Sequence, residues 1–155
     1  MEKETETRDS SKTVEEELNG MRERFLDERE DWRNRIKEMA ERIRDVHNLA
    51  ELQVDLYTSR QEAVEYQYNI TMSISRVESR LNKKKKKLIE ELNNMDVRYG
   101  RTDMNNLIDG ACSDHIHHIN IMKSHSGYMY ETIKTLDSMI FGIKHRLDLE
   151  NFRTR

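Results

Sequence analysis

Five consecutive lysines, Lys83, Lys84, Lys85, Lys86 and Lys87, are followed shortly by Arg98-Tyr99-Gly100-Arg101. Lysine ammonium groups meet phosphates as point charges, release counterions and bind without choosing a sequence. Arg76 and Arg80 stand one and two turns ahead of the run and extend the cationic track. A base can stack on the Tyr99 ring, a contact worth about 1–3 kcal/mol in single-strand binders. Together these ten residues form a candidate nucleic-acid site with weak sequence preference, because nothing among them is suited to reading a base edge. The plainer alternative is a solvated helix face, with Tyr99 packed on a helix end and Gly100 acting as a helix stop.

Charge distribution favours the first reading. The whole chain carries only −3. Residues 76–101 hold nine Lys/Arg against four Asp/Glu, a local +5. Residues 1–55 hold eleven against seventeen, a local −6. Such segregation offers one surface to a polyanion while another avoids it.

Other reactive residue types carry less. Asp114, His115, His117 and His118 have helical spacings that invite a metal reading, but the H-E-x-x-H arrangement is absent and no cysteine completes a site. A polar helix start accounts for them better, with Asp114 at the positive end of the helix dipole. Near pH 6 these histidines would add charge to a nucleic-acid surface. The single cysteine, Cys112, excludes an intrachain disulfide and reads as a small buried residue near a helix start. No P-loop, phosphate-cradling glycine loop or specially placed carboxylate pair occurs. The expectation is a protein that is not an enzyme and uses no cofactor and no metal.

Long helices must position these groups. The chain has no proline, five glycines, 37% charged and only 35% hydrophobic residues. Such a chain favours long helices that complete a core against each other or against other copies, which argues for a homo-oligomer. Residues 1–12 are expected to form a disordered tail. Thr13-Val-Glu-Glu16 has the form of a capping box. Behind it Val14, Leu18, Met21, Phe25, Trp32, Ile36, Met39, Ile43, Val46 and Ala50 recur at threes and fours, interrupted at Glu28. Trp32 reads as an interface anchor on this stripe. Residues 13–58 thus form an acidic N-terminal helix. A second capping box, Ser59-Arg-Gln-Glu62, predicts a helix to about Met95, with Val64, Tyr68, Ile74, Val77, Leu81, Leu88, Leu92 and Met95 on one stripe. Lys84 falls on that seam. Asn93-Asn94, Gly100, Thr102-Asp103 and Gly110 mark a connecting region, so residues 59–112 are a basic helix and turn. The segment 113–155 is a final helix with a seam of Ile119, Met122, Ser126, Met129, Ile133, Leu136, Ile140, Ile143 and Leu147. Gly127 and Gly142 lie within it and suggest close helix approach or a bend. The predicted fold is all-α, with coiled-coil-like seams around a helical hairpin. No apolar run reaches the ~18–20 residues of a membrane span. The acidic start carries no secretory signal, and the protein reads as cytoplasmic.

The segment Leu136-Asp-Ser-Met-Ile-Phe141-Gly-Ile143-Lys144-His-Arg-Leu147-Asp-Leu149-Glu-Asn-Phe152 resembles the C-terminal helix of the UvsY family, the recombination mediators of T4-like bacteriophages. The lysine-rich helix end followed by Tyr99-Gly100-Arg101 is similar to the middle of that family. Leu149 stands where the family often has tryptophan, and the acidic first helix is longer. The resemblance spans about residues 55–153. It implies a homo-oligomeric ring that binds single-stranded DNA. It also implies that such a ring helps a RecA-like recombinase of the UvsX type replace the phage single-strand-binding protein, in the host cytoplasm. Oligomerisation through Ile133, Leu136, Ile140, Phe141, Ile143, Lys144, Leu147 and Phe152 is implied as well. The rival expectation is a coiled-coil scaffold or adaptor without a nucleic-acid role.

Overall fold

The computed structural model describes the backbone of residues 2–95 and 98–153, and the side-chain surroundings of 13–45, 47–95 and 98–152. It is all-α. Four helices follow in order: α1 Glu2–Arg42, α2 Leu49–Asn93, α3 Arg101–Ala111 and α4 Ser113–Arg153. A single 3-10 turn, Val46–Asn48, joins α1 to α2. No strand occurs among the described residues. Nor is any described helix long and apolar enough to cross a membrane.

Several boundaries differ from expectation, each for a local reason. α1 starts at Glu2 rather than Thr13, through a stretch expected as a disordered tail. That stretch contains neither proline nor glycine to stop a helix, and its side chains lie outside the described residues. The first two helices part at 43–48, ahead of the expected junction. Asp45 adopts an extended conformation, and its carboxylate accepts from the His47 N–H at 3.1 Å and from the Asn48 amide at 2.6 Å. The corner is therefore built by an aspartate cap with no glycine or proline to announce it. Ser59-Arg-Gln-Glu62 consequently lies inside α2 and caps nothing. Instead Arg35 donates to the Ser59 hydroxyl at 3.2 Å and to the Glu62 carboxylate at 2.6 Å. α3 occupies residues expected as a connection.

Contacts divide the chain into two compact units, Met1–Arg22 with Ile70–Ser124, and Glu23–Asn69 with His125–Arg155. In the second unit α1 and α2 form an antiparallel hairpin, fastened by Arg35–Glu62 and Arg42–Asp55 ion pairs. α4 joins them, with Arg146 donating to the Ile43 carbonyl and Arg60 paired to Asp137. The core holds Leu49, Leu52, Leu56, Ala63, Trp32, Met39, Met129, Leu136 and Ile143. Leu49, Leu52, Leu56, Ser59 and Ala63 follow three-four spacing, so the α2 seam starts earlier than the sequence stripe proposed. Val64 is accordingly only half-buried and Tyr68 is 63% exposed. Trp32 is buried in this core, under the Arg35 guanidinium.

One layer of this core is polar. His125 is wholly buried, one residue off the expected Ser126 seam position. Its ring stacks on Phe25 at 4.0 Å between centroids and meets the edge of Tyr66 at 5.6 Å. Arg29 donates to Nδ1 at 3.2 Å, so the ring proton sits on Nε2 and is donated to Glu28 at 3.0 Å. The Tyr66 hydroxyl donates to the same carboxylate. Burial, with the Arg29 charge beside it, pushes the His125 pKa down to about 4, and burial raises that of Glu28. Glu28, an interruption of the α1 stripe in sequence, is thus matched from two other helices.

The first unit packs Leu18 of α1 with Ile70, Ile74, Val77 and Leu81 of α2, Ile108 of α3, and Ile119, Ile121 and Met122 of α4. Cys112 is fully buried at the C-terminus of α3, as expected. Gly127 and Gly142 are not sites of close approach. A Cβ added at either meets nothing within 4 Å, and α4 runs unbroken through both.

Candidate nucleic-acid interface

All ten residues of the expected cationic site belong to the first unit. A helix advances about 100° per residue, so five successive lysines cannot share one face. α2 sorts them. Lys83, Lys86 and Lys87 are exposed, whereas Lys84 and Lys85 are half-buried beside the apolar seam. Lys84 lies between Leu81, which is buried, and the half-buried Leu88, as its seam position predicts. A half-buried lysine can cover apolar surface with its stem while its ammonium stays in water.

Their ion pairs differ too. Lys85 is held by Asp109 of α3 at 2.8 Å. Lys87 stands 3.7 Å from Glu91, a loose contact on an exposed helix face. Lys83, Lys84 and Lys86 have no carboxylate partner among the described residues. Arg76, Arg80, Arg98 and Arg101 are exposed, and Tyr99 is 37% exposed rather than packed on a helix end.

Lys83 and Lys86 line an open trough of about 460 Å³ together with Ser75, Glu78, Ser79 and Asn82. Ser75, Ser79, Asn82, Lys83 and Lys86 fall within about 100° of the α2 circumference and span about 16 Å along its axis. Hydroxyl, amide and ammonium groups are the donor types that bind phosphate and sugar oxygens. The one carboxylate in the trough, Glu78, is engaged by Lys123 of α4 at 2.7 Å. Sequence reading missed Ser75, Ser79 and Asn82. Their spacing of four, three and then one residue to Lys83 was visible, but short polar residues on a helix carry no signal until the lysine face is known.

The histidine segment lies at the start of α4. Arg22 donates to His117 Nε2. His118 is held below its ordinary pKa by burial, then by His115 and Arg80. Among the described residues no group of three or more His, Cys, Asp or Glu is placed to hold a metal ion. Burial, with His115 and Arg80 beside it, thus favours the neutral His118 imidazole and lowers the charge it adds near pH 6.

The expected oligomerisation residues lie in the second unit and separate into two sets. Ile133, Leu136, Ile140 and Ile143 are buried in the chain's own core, and Leu147 is half-buried. Phe141 and Phe152 are 74% and 76% exposed, and Lys144 is exposed between them. Tyr130, Phe141 and Phe152 are spaced eleven residues apart, close to three whole turns, and so share a line on the outer face of α4.

Comparison with protein-family models, with curated proteins and with solved structures finds no match to this chain.

Proposed function

We propose that this protein binds single-stranded DNA along α2 and self-associates through the outer face of α4. In this reading it is a recombination mediator that helps load a RecA-like recombinase, of the UvsX type, in place of the single-strand-binding protein. The observation that carries the DNA reading is the trough. It presents Lys83 and Lys86 without carboxylate partners, beside Ser75, Ser79 and Asn82, while Glu78 is neutralised by Lys123. A backbone track without base-edge readers suits sequence-independent binding, and exposed Tyr99 between Arg98 and Arg101 suits unpaired bases. The resemblance of the C-terminal segment and the lysine-rich turn to the UvsY family supports the mediator role. One protomer's few cations bind weakly, and linked copies raise the effective concentration of sites. The exposed line of Tyr130, Phe141 and Phe152 supplies an apolar surface for such linkage. No catalytic step is assigned.

The test is fluorescence anisotropy of labelled oligo-dT across a salt series. Wild type is compared with a Lys83→Ala/Lys86→Ala/Lys87→Ala variant whose mass is checked by light scattering. Salt-sensitive binding, lost in a variant that still assembles, supports the proposal. An assembled wild type that fails to bind at low salt overturns it. The exposed aromatic line on α4 would then favour a helical scaffold that joins proteins only.

A further inference from the structure

We propose that Asp109 is a built-in competitor for the DNA site, an internal carboxylate that occupies Lys85 until a polyanion displaces it. This rests on the reading of α2 as a nucleic-acid interface and adds a regulator to it. Asp109 belongs to α3, an eleven-residue helix whose one buried side chain is the adjacent Ile108. Burial of Ile108 therefore sets the level at which the Asp109 carboxylate meets α2. It meets Lys85, at 2.8 Å, in the middle of the lysine run. No other lysine of the run is held by a residue of another helix, among the described residues.

Ion pairs of this exposure are weak. The two side chains are 33% and 60% exposed, and pairs at such sites shift an equilibrium by about fivefold at most. Lys85 lies outside the trough, about 100° round α2 from Lys86, so a strand anchored at Lys83 and Lys86 reaches it by passing over Lys86, and one weakly held carboxylate competes poorly with a polymer so anchored. A single small anion has no such second foothold and leaves the pair closed. Asp109 thus lowers affinity for every anion but lowers it least for a chain of linked phosphates. When the strand docks, Lys85 exchanges Asp109 for a phosphate, and α3 loses its ionic link to α2.

The experiment uses the full chain and labelled oligo-dT over a salt series, with wild type, Asp109→Asn, Lys85→Ala, the double variant, and Asp103→Asn as a control of equal charge change on α3. Asp109→Ser is measured alongside, because an asparagine oxygen can still accept from Lys85. The expected result is binding about two- to fivefold tighter for Asp109→Asn, the range a weak ion pair allows. The slope of log affinity against log salt changes little, because the docked wild-type strand already contacts Lys85 and only the competing carboxylate has been removed. In the Lys85→Ala background the gain disappears. An Asp109→Ser chain no tighter than wild type overturns the proposal. An equal gain from Asp103→Asn, or a gain that survives Lys85→Ala, also overturns it, because then only net charge matters. No wild-type binding at the lowest salt overturns the interface reading itself, and the competitor with it.

Discussion

Two places in this molecule put polar groups where a helix seam calls for apolar ones, and they resolve the conflict in opposite ways. In the second unit Glu28 interrupts the α1 stripe at the edge of the core, its side chain 38% exposed, beside the wholly buried His125. His125 and Tyr66 reach Glu28 from α4 and α2, and Arg29 supplies the opposite charge. In the first unit Lys84 interrupts the α2 stripe, and no carboxylate among the described residues comes to meet it. The exposed lysines on either side face solvent. A buried polar group left unpaired costs about 1–3 kcal/mol, so the first site must be closed from within. A half-exposed lysine is solvated at little cost and leaves its charge available to something outside. The matched site serves the fold itself, and the unmatched lysines are the groups on which the proposed nucleic-acid interface rests.

Removing the enclosed ring should produce the largest effect on folding. His125→Ala deletes a buried, stacked aromatic ring and takes one hydrogen-bond partner each from Glu28 and Arg29. Cavity and desolvation terms together predict a loss of about 3–4 kcal/mol in urea unfolding. Lys83→Ala with Lys86→Ala should stay within about 0.5 kcal/mol of wild type in the same assay, as surface changes do. Equal stabilities for the two variants would erase the contrast between the sites.

Acid should act on the same layer without any mutation. The folded-state pKa of His125 is lowered to about 4 from an ordinary 6.5. A group with a depressed folded pKa binds more protons when unfolded. Its stabilising contribution is therefore complete above pH 6.5 and is lost as pH falls from 6.5 through about 4. For a fully buried ring a shift of this size corresponds to roughly 3 kcal/mol. Glu28 has the opposite sign. Its pKa is raised, so its contribution is present in acid and lost as pH climbs past that raised value, which offsets part of the histidine effect. His118 is depressed as well and adds a smaller loss over the same acidic window. Unfolding measured between pH 7 and pH 4 should lose stability steeply in wild type and less so in His125→Phe. A flat wild-type profile would contradict the enclosed neutral histidine.

The lysine side of the contrast is sharpened by salt. Lys83→Ala/Lys86→Ala/Lys87→Ala should weaken oligo-dT binding by about tenfold or more. The magnitude of the log–log salt slope should fall by about 2, three phosphate contacts at roughly 0.7 each. Helicity by circular dichroism should not change. A full loss of affinity with an unchanged slope would point to a contact that is not ionic.

Much of this architecture is legible in the chain, and the failures have a common cause. The α1 stripe from Leu18 to Met39 and most of the α4 seam from Ile119 to Ile143 follow from spacing, because their buried side chains are apolar except for His125 and Thr132 on α4. The corner at Asp45 hides because Ile43 and Val46 keep a helical spacing straight through it, so the stripe read from sequence starts at Val64, fifteen residues after the α2 seam begins at Leu49. His125 hides because polar residues at seam positions are indistinguishable from surface residues until their partners, ninety-six and ninety-seven positions away at Arg29 and Glu28, are brought near. The lysine run was obvious, yet its division into Lys83 and Lys86 facing outward, Lys84 on the seam and Lys85 held by Asp109 needs the phase of α2 and the position of α3. Asp109 itself fell in a stretch read as connection, where a carboxylate has no assigned neighbour.

Lys84 offers the smallest effect and the finest test. It is half-buried, three residues after buried Leu81 and four before Leu88, and no carboxylate among the described residues pairs with it. Lys84→Leu would extend the apolar seam without cutting an ion pair. Covering part of a leucine side chain there is worth about 0.5–1 kcal/mol. For a chain of this size that corresponds to a rise in melting temperature of about 2–4 °C per kcal/mol. If the charge at 84 is an unmatched seam residue and Lys83 is part of the DNA track, the two leucine variants should divide cleanly. Lys84→Leu should gain stability and lose little affinity, whereas Lys83→Leu should lose affinity and gain no stability. A Lys84→Leu chain that melts lower than wild type would mean that α2 does not pack on its core between Leu81 and Leu88, and that the lysine run begins where the seam has already ended.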